Sequence, residues 1–146
     1  MKRSKRGLRR RYGRSHDSGE SFFDAYVTAA LWSSNDESDE SGGVPLDDSY
    51  GPNDIVADTR AEMRFDCARF QKANKALLRE AYARGYSKAQ AGHDFWLTRN
   101  GHGAGFWDRD ELDAGGLGKA LTAASKKFGG YNLYVGDNGK IDGSGG

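Results

Sequence analysis

The sequence predicts an α+β fold in which about three helices pack on a small antiparallel sheet, behind a disordered basic N-terminal arm. Three observations carry this expectation. Two long stretches repeat apolar residues at helical spacing, a strand–turn–strand pattern lies near the C-terminus, and the first 14 residues are crowded with cations but nearly devoid of apolar groups. The expected organisation is a flexible arm over residues 1–17, one α+β domain over 18–142 and a loose Gly/Ser tail over 143–146.

The arm, MKRSKRGLRRRYGR, offers only Leu8 and Tyr12 as sizeable apolar side chains and repels itself, so packing cannot order it. The first helix is predicted over 20–34, where Phe22, Phe23, Tyr26, Val27, Ala30 and Leu31 recur on one face and Ser18 or Ser21 can serve as N-cap. NDESDESGG (35–43) ends it and leads into a loop, VPLDDSYGPND (44–54), with Leu46 and Tyr50 as its apolar contacts. The second helix is predicted over 55–84. Val56, Met63, Cys67, Phe70, Ala73, Leu77, Leu78 and Ala81 trace its apolar or small-residue stripe, Gly85 stands at its C-cap, and Asn74, a weak helix former, marks a break.

Ser87 opens a short helical turn before HDFWLTRNGHGAGFWDRDELD (93–113). The aromatic and β-forming residues of 94–99, the turn signal Asn100-Gly101 and a second short apolar run at 105–108 predict a strand meander, with an irregular loop held by Gly101, Gly103 and Gly105 as the alternative, and Trp96 and Trp107 as core or cross-strand anchors. A third helix follows over 112–128, with Leu117, Leu121, Ala124 and Phe128 as its stripe, and Gly129-Gly130 stops it. Residues 131–135 read as a strand, Asp137-Asn138-Gly139 as a turn and 140–142 as the return strand.

Composition narrows the function classes. No apolar run approaches the roughly 18 residues of a membrane span, and no apolar segment follows the charged N-terminus as in a secretory signal, so no membrane partner is expected. The lone Cys67 excludes an intrachain disulfide and favours a reducing compartment; on the apolar face of a helix it reads as packing rather than a nucleophile.

The formal net charge of +1 conceals a segregation: residues 1–14 carry eight of the 22 Lys and Arg and no acid, which leaves 14 basic against 21 acidic side chains elsewhere. Residues 36–66 hold ten carboxylates against Arg60 and Arg64. Lys2, Arg3, Lys5, Arg6, Arg9, Arg10, Arg11 and Arg14 are candidates for phosphate contacts, which give affinity without reading sequence, and Tyr12 can stack on an exposed base. The acidic stretch supports a second reading, a protein-interaction module or nucleic-acid mimic. His93, Asp94, His102, Asp108 and Asp110 support a third, a small metal-dependent enzyme in which His93 or Asp94 approaches Asp108 across the hairpin. Their spacing matches neither HExxH nor an EF-hand, and GHGAG matches no nucleotide-binding glycine motif; no cofactor is implied.

AGHDFWLTRNGHGAGFWDR (91–109), YNLYVGDNGKI (131–141) and ALWSSNDESDESGGVPLDDSY (30–50) resemble a widespread group of small uncharacterised proteins of bacteriophages and bacterial mobile elements. The resemblance carries no activity or site residues. It implies a phage setting in the bacterial host cytoplasm, with virion association as a variant, where genome binding, packaging or interference with a host protein is at home. The leading expectation is therefore a non-enzymatic phage accessory protein that binds DNA or RNA through its arm.

Overall fold

The computed structural model describes residues 19–37 and 43–145. The arm, the Ser18 cap and part of the acidic loop lie outside the described residues. Helix α1 (Gly19–Ser33) is followed by two short strands, β1 (Asn35–Asp36) and β2 (Val44–Pro45), paired antiparallel. Helices α2 (Ala57–Ala73), α3 (Lys75–Ala83) and α4 (Lys88–Arg99) come next, then three single 3-10 turns, α5 (Leu117–Lys126) and a hairpin of β3 (Tyr131–Val135) and β4 (Ile141–Gly145).

The α+β class stands, but the described residues form five α-helices rather than three, and the strands make two separate two-stranded ribbons. The core therefore lies between helices rather than between helices and a broad sheet. Phe22 and Tyr26 of α1, Phe70 of α2 and Phe95 of α4 are fully buried, with Phe70 and Phe95 stacked at 4.1 Å between centroids. Full burial of each such ring contributes about 2–3 kcal/mol, and a well-placed pair about 1 kcal/mol more. Helices α1 and α4 form the most extensive helix pair. Their approach depends on Gly92, where a Cβ would lie 2.0 Å from the carbonyl oxygen of Phe22.

Ser21 lies inside α1 and is not its N-cap. The break at Asn74 is present: its side-chain amide donates to the Phe70 carbonyl at 2.9 Å, satisfying a group at the end of α2. Helix α3 ends as its sequence predicts. Gly85 takes a left-handed φ of 93°, its amide donates to Tyr82 O and the Tyr86 amide donates to Ala81 O, the paired bonds of a Schellman motif.

The largest correction falls on residues 93–108. No strand meander forms there. The chain continues as α4 from its Ser87 cap, whose hydroxyl accepts from the Gln90 amide at 2.9 Å, through to Arg99. Asn100-Gly101 is a second Schellman terminus, not a hairpin turn: the Gly101 amide donates to Thr98 O and the His102 amide to Leu97 O. Every residue from Asp94 to Arg99 is buried, so no exposed face remains to print a helical period on the sequence, and aromatic content imitates a strand. Trp96 is a core residue, as expected, and donates to Ser33 Oγ at 2.8 Å; Trp107 is half-exposed and anchors no core.

The third predicted helix begins later than its pattern suggests, because Gly115 and Gly116 adopt left-handed φ values of 73° and 72° and interrupt it. The return strand runs further than expected: Tyr131 pairs with Gly145, so residues 143–145 belong to the sheet instead of a loose tail.

Candidate functional site

The nine arm residues singled out as nucleic-acid contacts, Lys2 to Arg14 with Tyr12, lie outside the described residues. The 93–113 candidates lie within them: Asp94 is the hub of a structural network that His93 borders, His102 is half-buried, and Asp108 and Asp110 are exposed. Asp94 is completely buried on α4. Arg109 donates to it through Nε and Nη2 at 2.9 and 2.7 Å, the Tyr86 hydroxyl at 2.5 Å and the Gln90 amide at 3.1 Å, while His93 Nδ1 lies 3.3 Å away. Burial alone would raise the Asp94 carboxyl, but the hydrogen bonds from His93, Arg109 and Tyr86 outweigh it and hold the group below its ordinary value. The same contact raises the Arg109 guanidinium. Burial, then the neighbouring Asp94 charge, pushes the Tyr86 phenol far upward, so it stays protonated and donates.

A second network is built on Arg99. Its Nε and Nη2 donate to the carbonyls of Gly129 and Phe128 at 2.8 and 3.1 Å, just beyond the end of α5, where a cation meets the negative end of the helix. Its Nη1 donates to Asp66 at 2.9 Å and to the Tyr26 hydroxyl at 3.0 Å. Asn100 joins the same corner by accepting the Tyr131 amide at 2.8 Å. The motif HDFWLTRN thus ties α1, α2, α5 and β3 to α4.

Among the described residues no hydrogen bond or ion pair joins His93 or Asp94 to Asp108; Arg109 reaches Asp94 instead. Among the described residues, no group of three or more His, Cys, Asp or Glu is placed to hold a metal ion. Cys67 is buried, and burial, reinforced by Asp66, raises its thiol well above the usual value, in keeping with packing. The acidic stretch is partly consumed internally: Asp54 accepts the Gly51 amide, Glu62 accepts the Tyr131 hydroxyl and Asp66 accepts from Arg99.

The feature absent from the sequence reading is cationic and lies on the body. Two adjoining surface grooves share Lys72. The first, of about 660 Å³, is lined by Arg69, Lys72, Lys127 and Phe128, and the second, of about 490 Å³, by Lys72, Lys75, Arg79, Lys88 and Tyr82. Positions 75, 79 and 82 follow helical spacing on α3, which puts them on one side, and Lys72, before the break at Asn74, lines the same groove. Lys127 arrives from the end of α5. Among the described residues no carboxylate lines either groove, and Lys72, Lys75, Arg79 and Lys127 make no ion pair. Arg69 lies 3.7 Å from Asp66, but that carboxylate is shared with Arg99, so two guanidinium charges meet one negative charge.

No helix among the described residues is long and apolar enough to cross a membrane. Comparison with protein-family models, with curated proteins and with solved structures gives no match.

Proposed function

We propose that the protein binds nucleic acid without sequence specificity, through phosphate contacts made by Lys2, Arg3, Lys5, Arg6, Arg9, Arg10, Arg11 and Arg14 of the arm and by the cationic grooves of the body. The observation that carries the reading is the pair of adjoining grooves, lined by six Lys and Arg from α2, α3, α4 and α5 and by no carboxylate among the described residues. In a body whose formal balance is acidic, four of these cations, Lys72, Lys75, Arg79 and Lys127, make no ion pair among the described residues. Such a surface attracts a polyanion, and each neutralised phosphate releases counterions. The similarity of 30–50, 91–109 and 131–141 to phage and mobile-element proteins supplies the setting: an accessory protein acting on DNA or RNA in the host cytoplasm or within the virion.

The test is binding to DNA and RNA over a salt series, comparing the full chain, a chain lacking residues 1–14, and the double variant Lys72→Gln/Lys127→Gln. For every phosphate that a variant no longer neutralises, the slope of log K against log[salt] should become shallower by about 0.7–0.9. Both changes should weaken binding, and roughly equally across sequences. Unchanged affinity and slope in both would refute the reading.

A further inference from the structure

We infer that the groove-bearing face takes single-stranded nucleic acid in preference to duplex, with an unpaired base stacking on the Phe65–Arg69–Phe128 ladder at one end of the cationic track. This rests on the nucleic-acid reading above and adds to it the strand state of the ligand. Phe65 is the most exposed large apolar side chain of the described residues, at 63 %. It sits one helical turn before Arg69, whose guanidinium lies 5.6 Å from the Phe65 ring centroid and 5.0 Å from that of Phe128. Arg69 and Phe128 line the first groove, so Phe65 flanks its wall.

The ladder is anchored from below. Phe128 packs edge-on against Phe70 and Phe95 of the core, and the buried Arg99 guanidinium lies 5.6 Å from its centroid. The rigid end of the ladder is therefore held by the core, while its outer ring stands in solvent beside cations. Cations alone track a phosphate backbone of either strand state. An exposed ring and a planar guanidinium among them offer π-faces that only an unpaired base can meet, because a duplex keeps its base faces stacked inside. Lys72, Lys75, Arg79 and Lys127 then follow the backbone of the same strand away from the stacked base.

The experiment measures anisotropy of labelled single-stranded DNA, single-stranded RNA and the duplex of the same sequence with the full chain and three variants: Phe65→Ala, Phe65→Tyr and Lys72→Gln. The full chain should bind the single strands more tightly than the duplex. Phe65→Ala should reduce single-strand affinity at least about fivefold, the lower end of one base–aromatic stack, with the salt slope and duplex affinity unchanged. Phe65→Tyr should retain the affinity, since the ring remains. Lys72→Gln should weaken both strand states and flatten the slope. The inference is overturned if single strand and duplex bind alike, if Phe65→Ala leaves single-strand affinity unchanged or lowers both equally, or if Phe65→Tyr fails to preserve it. In those cases a salt-dependent weakening in Lys72→Gln leaves the phosphate reading intact, whereas a silent Lys72→Gln removes the contribution of the grooves as well. Thermal melts keep folding separate, and the exposure of Phe65 makes its replacement nearly neutral for stability.

Discussion

Replacing Arg109 by Met removes two charge-assisted hydrogen bonds from a carboxylate that has no access to water. Asp94 is fully buried, and after Arg109→Met it retains only the Tyr86 hydroxyl, the Gln90 amide and the nearby His93 ring. Breaking a buried ion pair by removing one partner costs about 3–5 kcal/mol, because the remaining charge stays desolvated. The Arg109 side chain is itself a quarter exposed, so water can replace part of what it supplied and the expected cost falls at the low end, about 3 kcal/mol. For a chain of this size that corresponds to a drop of about 10 °C in Tm. Urea unfolding followed by tryptophan fluorescence reads it through the buried Trp96. Asp94→Asn removes the negative charge, so the double variant Asp94→Asn/Arg109→Met should cost less than the sum of the singles by at least about 1 kcal/mol. A destabilisation below about 1 kcal/mol for Arg109→Met, or additive costs in the double variant, would refute the view that this pair holds the loop after α4 onto the helix.

The same carboxylate sets an acid limit. Its folded value lies below the ordinary 3.8, so its contribution is complete above that value and fades as pH falls through the depressed folded value. Stability measured by urea titration should fall more steeply with acidification below about pH 4 in the natural chain than in Asp94→Asn. Arg99→Lys keeps the charge but cannot reach Gly129, Phe128, Asp66 and Tyr26 together, and should cost at least about 2 kcal/mol in the same assay. Gly92→Ala should lower stability by about 1–3 kcal/mol although alanine is the better helix former by about 1 kcal/mol, since the new Cβ collides with the Phe22 carbonyl. A neutral or stabilising Gly92→Ala in a thermal melt would show that α1 and α4 have room to separate.

What was legible in the sequence followed from local chemistry. The periodic stripe of α2 and α3 points Met63, Cys67, Phe70, Leu78 and Ala81 inward, all of them buried, while Val56 and Leu77 are only half-buried and Ala73 is exposed; the amphipathic face of α1 buries Phe22, Phe23, Tyr26, Val27, Ala30 and Leu31. The break at Asn74, the terminus at Gly85 and the final hairpin follow from residues whose backbone preferences act within a few positions. Helix α4 escaped because periodicity needs a wet face to contrast with a dry one, and its second half has none.

By itself, then, the chain's order of residues settled which segments are amphipathic, where they stop, and that cations are concentrated ahead of residue 15. Only tertiary structure decided the meaning of the charged residues further along. Asp94 with Arg109, and Arg99 with Asp66 and Tyr26, meet across 15, 33 and 73 positions of chain, and Asp94, Arg99 and Tyr26 are buried in these pairs. Lys127 meets Lys72 because α5 comes to lie against the α2–α3 corner, and an acidic total on paper becomes a cationic groove in space. The physical reason is that charge counts sum over sequence, while electrostatic attraction depends on distance and on which opposite charges have already been spent inside.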